Sequence, residues 1–204
     1  MNAASTDSST RGPVDHNIRD QIVEAAEQHF KLYGYEKTTV SDLAKAIGFS
    51  KAYIYKFFDS KQAIGEVICF NCLHGIEVEV EAAMAEAETA SERFRRMFRS
   101  LVTGSARLFS DERKLYDIAA SSARERWRTA ADYEAWVKKA ITDVIREGRE
   151  RGEFERKTPL DETSQAIYLV LMPYIHPLLL QHNLHLLDEA PNQLSSLILR
   201  SLSP

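Results

Sequence analysis

The stretch TTVSDLAKAIGFSKAYIYKFF constrains this chain more than any other, because it sets two short amphipathic segments on either side of a tight corner. Thr39 and Asp42 have the spacing of a capping box, with Asp in place of the usual Glu, and Val40, Leu43, Ala44 and Ile47 recur on one helical stripe. Gly48 stands where a left-handed residue would end that helix. Phe49 and Ser50 complete the turn, and Ser50 is a good N-cap for KAYIYKFF. The expectation is two helices meeting across a Gly-containing corner, a helix-turn-helix.

On a helix at about 100° per residue, Ile54, Phe57 and Phe58 fall within one arc, while Lys51, Ala52, Tyr53, Tyr55 and Lys56 share the opposite side. The first group can anchor the segment, since a fully buried large apolar side chain contributes roughly 1.5 to 3 kcal/mol. The second group offers ammonium donors, hydroxyls and flat rings, which suit phosphate oxygens and base edges and equally an ordinary solvated face. Charge favours the first use. From Lys37 to Lys61 five lysines stand against Asp42 and Asp59, although the whole chain of 204 residues carries a net charge of -4.

The rest of the chain reads as helix. Ile18, Ile22, Ala25, Ala26, Phe30 and Tyr33 recur at helical spacing before Gly34, and a long amphipathic helix is predicted from Lys61 to about Glu88, capped by Asp59 and Ser60. Further helices are predicted after Ser91, from Glu112 to Arg124, from Thr129 to Glu150, from near Asp161, and from about Pro191 to Leu202. Eight glycines and six prolines are too few for a turn-rich β fold, and no alternating run long enough for a strand occurs. The fold class expected is all-α: a disordered arm over residues 1–16, a three-helix domain over 17–64, and a larger helical domain over 65–204 for effector binding and dimerisation. IYLVLMPYIHPLLL is apolar on nearly every side, which suggests that a second subunit covers part of it, while Pro173 and Pro177 should kink or loosen that helix.

The apolar run from Ala166 to Leu180 is shorter than the ~20 residues that span a bilayer, and no membrane segment is expected. The N-terminal residues lack the apolar core of a signal peptide, and two cysteines three apart are no secreted disulfide framework, so a reducing cytoplasm is the expected location. Cys69, Cys72 and His74 invite a zinc or redox reading, but His74 projects from a different side of the helix, and packing is favoured. His176, His182 and His185 do not share one helical face. No metal, cofactor or catalytic residue is expected, since no Ser elbow, Gly-rich phosphate loop, HExxH or paired-carboxylate motif is present.

The order of features in IVEAAEQHFKLYGYEKTTVSDLAKAIGFSKAYIYKFFDSKQAI resembles the N-terminal signature of the TetR family of transcriptional regulators. The resemblance rests on the Ala-Ala and Phe of the first helix, Gly34-Tyr35, Thr38-Thr39-Val40, Leu43-Ala44, Gly48, Ser50-Lys51, Tyr55, Phe58 and Ser60-Lys61. It implies a homodimer whose third helices enter successive major grooves of a palindromic double-stranded operator, with a C-terminal domain that dimerises and takes an effector. By family position Thr39, Ser50, Tyr55 and Lys61 look like phosphate contacts, and Ala52, Tyr53 and Lys56 lie where bases are read, beside Lys51. Ala52 replaces the family's usual Gly and Tyr53 a small polar residue, so the preferred bases do not carry over. Arg11 in the arm is a candidate minor-groove contact.

Large apolar and amphipathic residues of the predicted bundle, Phe98, Leu101, Tyr116, Trp127, Tyr133, Trp136, Tyr168 and Met172, are candidate linings of a pocket for a small apolar or amphipathic effector, each with ordinary core as its alternative. The function expected is a ligand-released repressor. The alternatives are a helical ligand- or protein-binding module without operator function, and a redox-sensing regulator using Cys69 and Cys72.

Overall fold

The computed structural model describes residues 13–111 and 113–204, and among them there is no strand. The expected arm falls outside the described residues as far as residue 12, Arg11 included, and helix α1 (Pro13–Tyr33) already begins inside the stretch assigned to it. α2 (Val40–Ile47) and α3 (Lys51–Ile54) follow, then α4 (Lys61–Ala85), α5 (Ala90–Asp111), α6 (Arg113–Glu125), α7 (Arg128–Glu150), α8 (Leu160–Ile175), α9 (Pro177–Leu180) and α10 (Ala190–Ser201), with a 3-10 turn at Leu184–Leu186.

Two apolar clusters organise these helices. In the first, Ile22, Ala26 and Phe30 of α1 pack with Leu43, Ile54 and Phe58, and with Ile64, Ile68 and Cys69 of α4. In the second, Ile76 and Val80 of α4 join Phe94, Phe98 and Leu101 of α5, Val137 and Ile141 of α7, and Ile167 and Leu171 of α8. α4 therefore supplies both cores, and the division expected at residue 64 falls within it. The first core also takes in Leu115 and Ile118 of α6 and Trp127 at the start of α7. The N-terminal helices thus rest directly on the bundle.

The predicted single helix through Pro173 and Pro177 is cut in two. α8 runs through Pro173 to Ile175, and His176 is extended (φ -74°, ψ 125°), as the residue before a proline prefers. Pro177 opens α9, where its missing N–H costs nothing and its ring fits the first helical turn. The long helix α4 stops at Ala85, short of Glu88, and the last helix starts at Ala190. No described helix is long and apolar enough to cross a membrane.

Candidate nucleic-acid interface and adjoining cavity

The corner forms as its residues dictate. Thr39 caps α2: its hydroxyl accepts from Asp42 N at 3.2 Å and donates to the Asp42 carboxylate at 2.6 Å, while Thr39 N donates to the same carboxylate at 2.9 Å. These bonds hold the Asp42 carboxyl below the usual carboxylate range. Gly48 takes φ 79°, where a Cβ would crowd the backbone, and Ser50 Oγ accepts from Tyr53 N at 3.1 Å. KAYIYKFF is α-helical only through Ile54 and continues as tight turns, with Phe57 N and Phe58 N both donating to Ile54 O at 2.9 and 3.1 Å. Ile54 and Phe58 are buried and Phe57 half-buried, as the arc predicts. Lys51, Ala52, Tyr55 and Lys56 are exposed on the other side.

Two candidate contacts behave differently from the rest. Tyr53 is half-buried, its ring edge-on to Phe49 and Phe57 at 5.0 and 5.3 Å, so it braces the segment as well as facing outward. Lys61 Nζ donates to Tyr35 O at 3.0 Å and sits 4.2 Å from the Tyr35 ring centroid, which ties the start of α4 to the turn after α1. Arg19, not singled out from the sequence, donates to Phe57 O at 3.0 Å and lies 4.3 Å over the Phe58 ring. A lone arginine on an amphipathic helix gives no local sign of such a partner.

Behind this unit a cavity of about 680 Å³ opens between α4, α5, α6, α7 and the α8–α9 junction. Of the eight candidate lining residues, Tyr116, Trp127, Tyr133 and Tyr168 are on its wall. Phe98 and Leu101 are not: both are wholly buried in the second core, where the inward stripe of α5 fills the bundle instead of facing the cavity. Trp136 lines a separate shallow groove with Met84 and Arg93, and Met172 packs on the margin of the core. Residues that size and apolarity did not flag complete the wall, among them Cys69, Ser105, Ser122, Glu134, His176 and Arg126. Cys69, more than two turns into α4, has its thiol pushed up to about 12 by burial, which leaves little thiolate for redox chemistry. Among the described residues no group of three or more His, Cys, Asp or Glu is placed to hold a metal ion.

The cavity and the N-terminal unit share a wall. Trp127 lines the cavity, donates through Nε1 to Glu125 at 2.8 Å, and meets the Tyr35 ring edge-on. Burial and the nearby Glu125 push the Tyr35 phenol above its usual range, so it stays neutral. Gly65 of α4 lies beneath both rings; a Cβ there would approach Tyr35 Cε2 to 2.9 Å and Trp127 Cη2 to 3.1 Å. Ser121 Oγ donates to Glu36 at 2.8 Å and Lys114 Nζ to Leu32 O, so α6 is bonded to the same region. Arg126, between α6 and α7, has φ 56°, an unusual value for a residue with a side chain.

Comparison with known proteins gives the same outline. Residues 22–67 match the family described as bacterial regulatory proteins, tetR family, and residues 90–194, more than half the chain, match the tetracyclin repressor-like C-terminal domain. The biofilm operon icaADBC HTH-type negative transcriptional regulator IcaR of Staphylococcus aureus is 39% identical over 62 residues, 29% of this chain and 33% of its own. The chain thus spans about a third of the length of that relative. Among solved structures, the fatty acid degradation regulator FadR of Bacillus halodurans superposes with a TM-score of 0.68 at 20% identity, covering 94% of this chain and 97% of its own. The TetR family transcriptional regulator PfmR of Thermus thermophilus gives 0.57 at 27% identity over 91% and 97%. With the helix-turn-helix, the all-helical bundle and both family matches in agreement, this chain belongs to the TetR family of DNA-binding bacterial transcriptional regulators.

Proposed function

We propose that the protein is a cytoplasmic homodimeric repressor that binds a palindromic operator through α2 and α3 and leaves it when a small molecule fills the cavity. The observation that carries this reading is the double position of Trp127, on the cavity wall and against Tyr35 of the DNA-binding unit. A ligand that displaces the indole must also move Tyr35, and with it Lys61 and the start of α4. Two recognition segments have to sit about 34 to 36 Å apart to meet successive major grooves, so a small displacement of each α4 changes the fit. Coupling of about 1 to 3 kcal/mol lowers operator affinity roughly 5- to 150-fold.

Dimerisation is assigned to α8 and α10. Leu169 is 52% and Leu197 57% exposed in the single chain, and Val170 and Leu197 belong to an apolar face that lines a groove with Ile167, Ile198 and Leu202. Apolar faces of this kind are the usual seam of a twofold interface.

The test is selection of binding sequences from random duplexes, followed by titration of the selected duplex. The expected product is an inverted repeat bound by two chains. Failure to enrich any sequence would remove operator binding and leave a helical ligand-binding module.

A further inference from the structure

The cavity wall separates its charges from its depth. Among the described lining residues the charged ones, Arg124, Arg126 and Glu134, are all at exposed positions on the rim. Of the two rim cations, Arg124 lies 3.9 Å from Glu36. Deeper in, the polar atoms are neutral. Tyr133 OH and Ser122 Oγ are covered from solvent and have no hydrogen-bond partner of ordinary geometry among the described residues, although Ser105 lies beside the first and the Cys69 thiol beside the second. Buried hydroxyls without partners are uncommon, because each forfeits its bonds to water, and a ligand atom is one way to satisfy them.

Resting on the effector-cavity reading above, we infer that the effector is an uncharged, drug-sized molecule with an apolar body and at least one carbonyl or hydroxyl oxygen, which bonds Tyr133 OH or Ser122 Oγ in the interior. A carboxylate or phosphate taken to that depth would meet no buried cation, and an unpaired buried anion is far costlier than a paired polar group. The surroundings add to the disfavour. Tyr133 is raised above the usual phenol range by burial and by the negative Glu77, and Tyr116 and Tyr168 are pushed up to about 12 by burial. His176 is lowered by burial, and its Nδ1 accepts from Leu178 N at 3.2 Å, so the neutral ring carries its proton on Nε2. The interior part of the wall therefore offers neutral donors, and the positive charges of the lining, Arg124 and Arg126, stay at the rim.

The experiment is calorimetric titration of the full chain with three probes of nearly equal shape: 2-acetylnaphthalene, 2-ethylnaphthalene and 2-naphthoate. The expected order is ketone tightest, hydrocarbon about 3- to 10-fold weaker, as one lost hydrogen bond predicts, and carboxylate weakest. Tyr133→Phe and Ser122→Ala are measured beside the wild type; at least one of them should erase the ketone's advantage while leaving 2-ethylnaphthalene binding within about two-fold. Binding of 2-naphthoate as tight as the ketone overturns the uncharged-ligand inference and leaves the cavity as an effector site. An advantage of the ketone that survives both substitutions overturns the assignment of the hydroxyls. Binding of none of the three overturns the cavity reading itself.

Discussion

The rings of Tyr35 and Trp127 meet edge to face, with centroids 5.5 Å apart and planes inclined by 69°. One belongs to the turn between α1 and α2, the other to the first residue before α7, and Gly65 leaves just enough room for both against α4. Gly65→Ala should therefore destabilise the protein by about 1 to 3 kcal/mol through overpacking. It should also weaken the coupling between the cavity and the operator, since the rings must separate to admit the methyl group. Urea denaturation measures the first effect, and ligand titration with and without operator the second. Unchanged stability would show that the rings move aside freely and transmit nothing.

Lys56, expected from the sequence where bases are read, and Lys61, expected at a phosphate, should separate on mutation. Lys56 is exposed, and Lys56→Ala should reduce operator affinity by about 1 to 3 kcal/mol if it reads a base, or make the salt slope shallower by about one unit if it holds a phosphate. Lys61 is held by Tyr35 O and the Tyr35 ring, so Lys61→Ala should lower thermal stability as well as DNA affinity. Melting curves and salt titrations on both variants decide; a Lys61 variant that melts like the wild type would make the contact with Tyr35 energetically idle.

The corner and the cavity differ in how far the sequence could reveal them. Gly48, Ser50, Thr39 and Asp42 were legible because each satisfies a need within a few positions of itself: a left-handed corner, a cap, a box. The inward stripe of each helix was legible from its period. Which part of a stripe borders empty space was not, because that depends on how α5, α6 and α7 lean against one another. Phe98 and Leu101 fill the bundle, whereas Ser105 and Ser122, small and polar on the same inward faces, border the void. Large apolar residues close gaps, and small ones leave them.

Stability should fall as the solution is acidified below about pH 6.5, and His176 should account for part of the loss. Burial lowers the folded His176 pKa, opposed by Glu134, so the unfolded chain takes up the proton first. The contribution is present above the unfolded value of 6.5 and disappears as pH falls through the folded value. His176→Asn retains a side-chain acceptor for Leu178 N and removes the titration. Comparison of denaturation midpoints at about pH 7.5 and 5.5, on either side of the histidine range, should give a smaller drop in the variant; an equal drop assigns the acid sensitivity elsewhere.

Leu169→Glu and Leu197→Glu should each convert a dimer to monomers, because either places an unpaired carboxylate in the proposed seam. Both positions are more than half exposed in the single chain, so the monomers should keep their helical content. Sedimentation and circular dichroism read the two properties separately. A dimer persisting in both variants would move the interface away from α8 and α10.

The outward side of the corner carries Ala52 and Lys56 where neither belongs to an apolar cluster, while Gly65, Tyr35 and Trp127 are locked against one another inside. Inheritance feels that difference. A duplicated copy can exchange Ala52 or Lys56 and address a new stretch of genome at little cost to folding, but a change at Gly65 needs matching changes at two distant rings before the chain is sound again. Descendants of this protein should therefore diverge early in where they bind, and late in how they are told to let go.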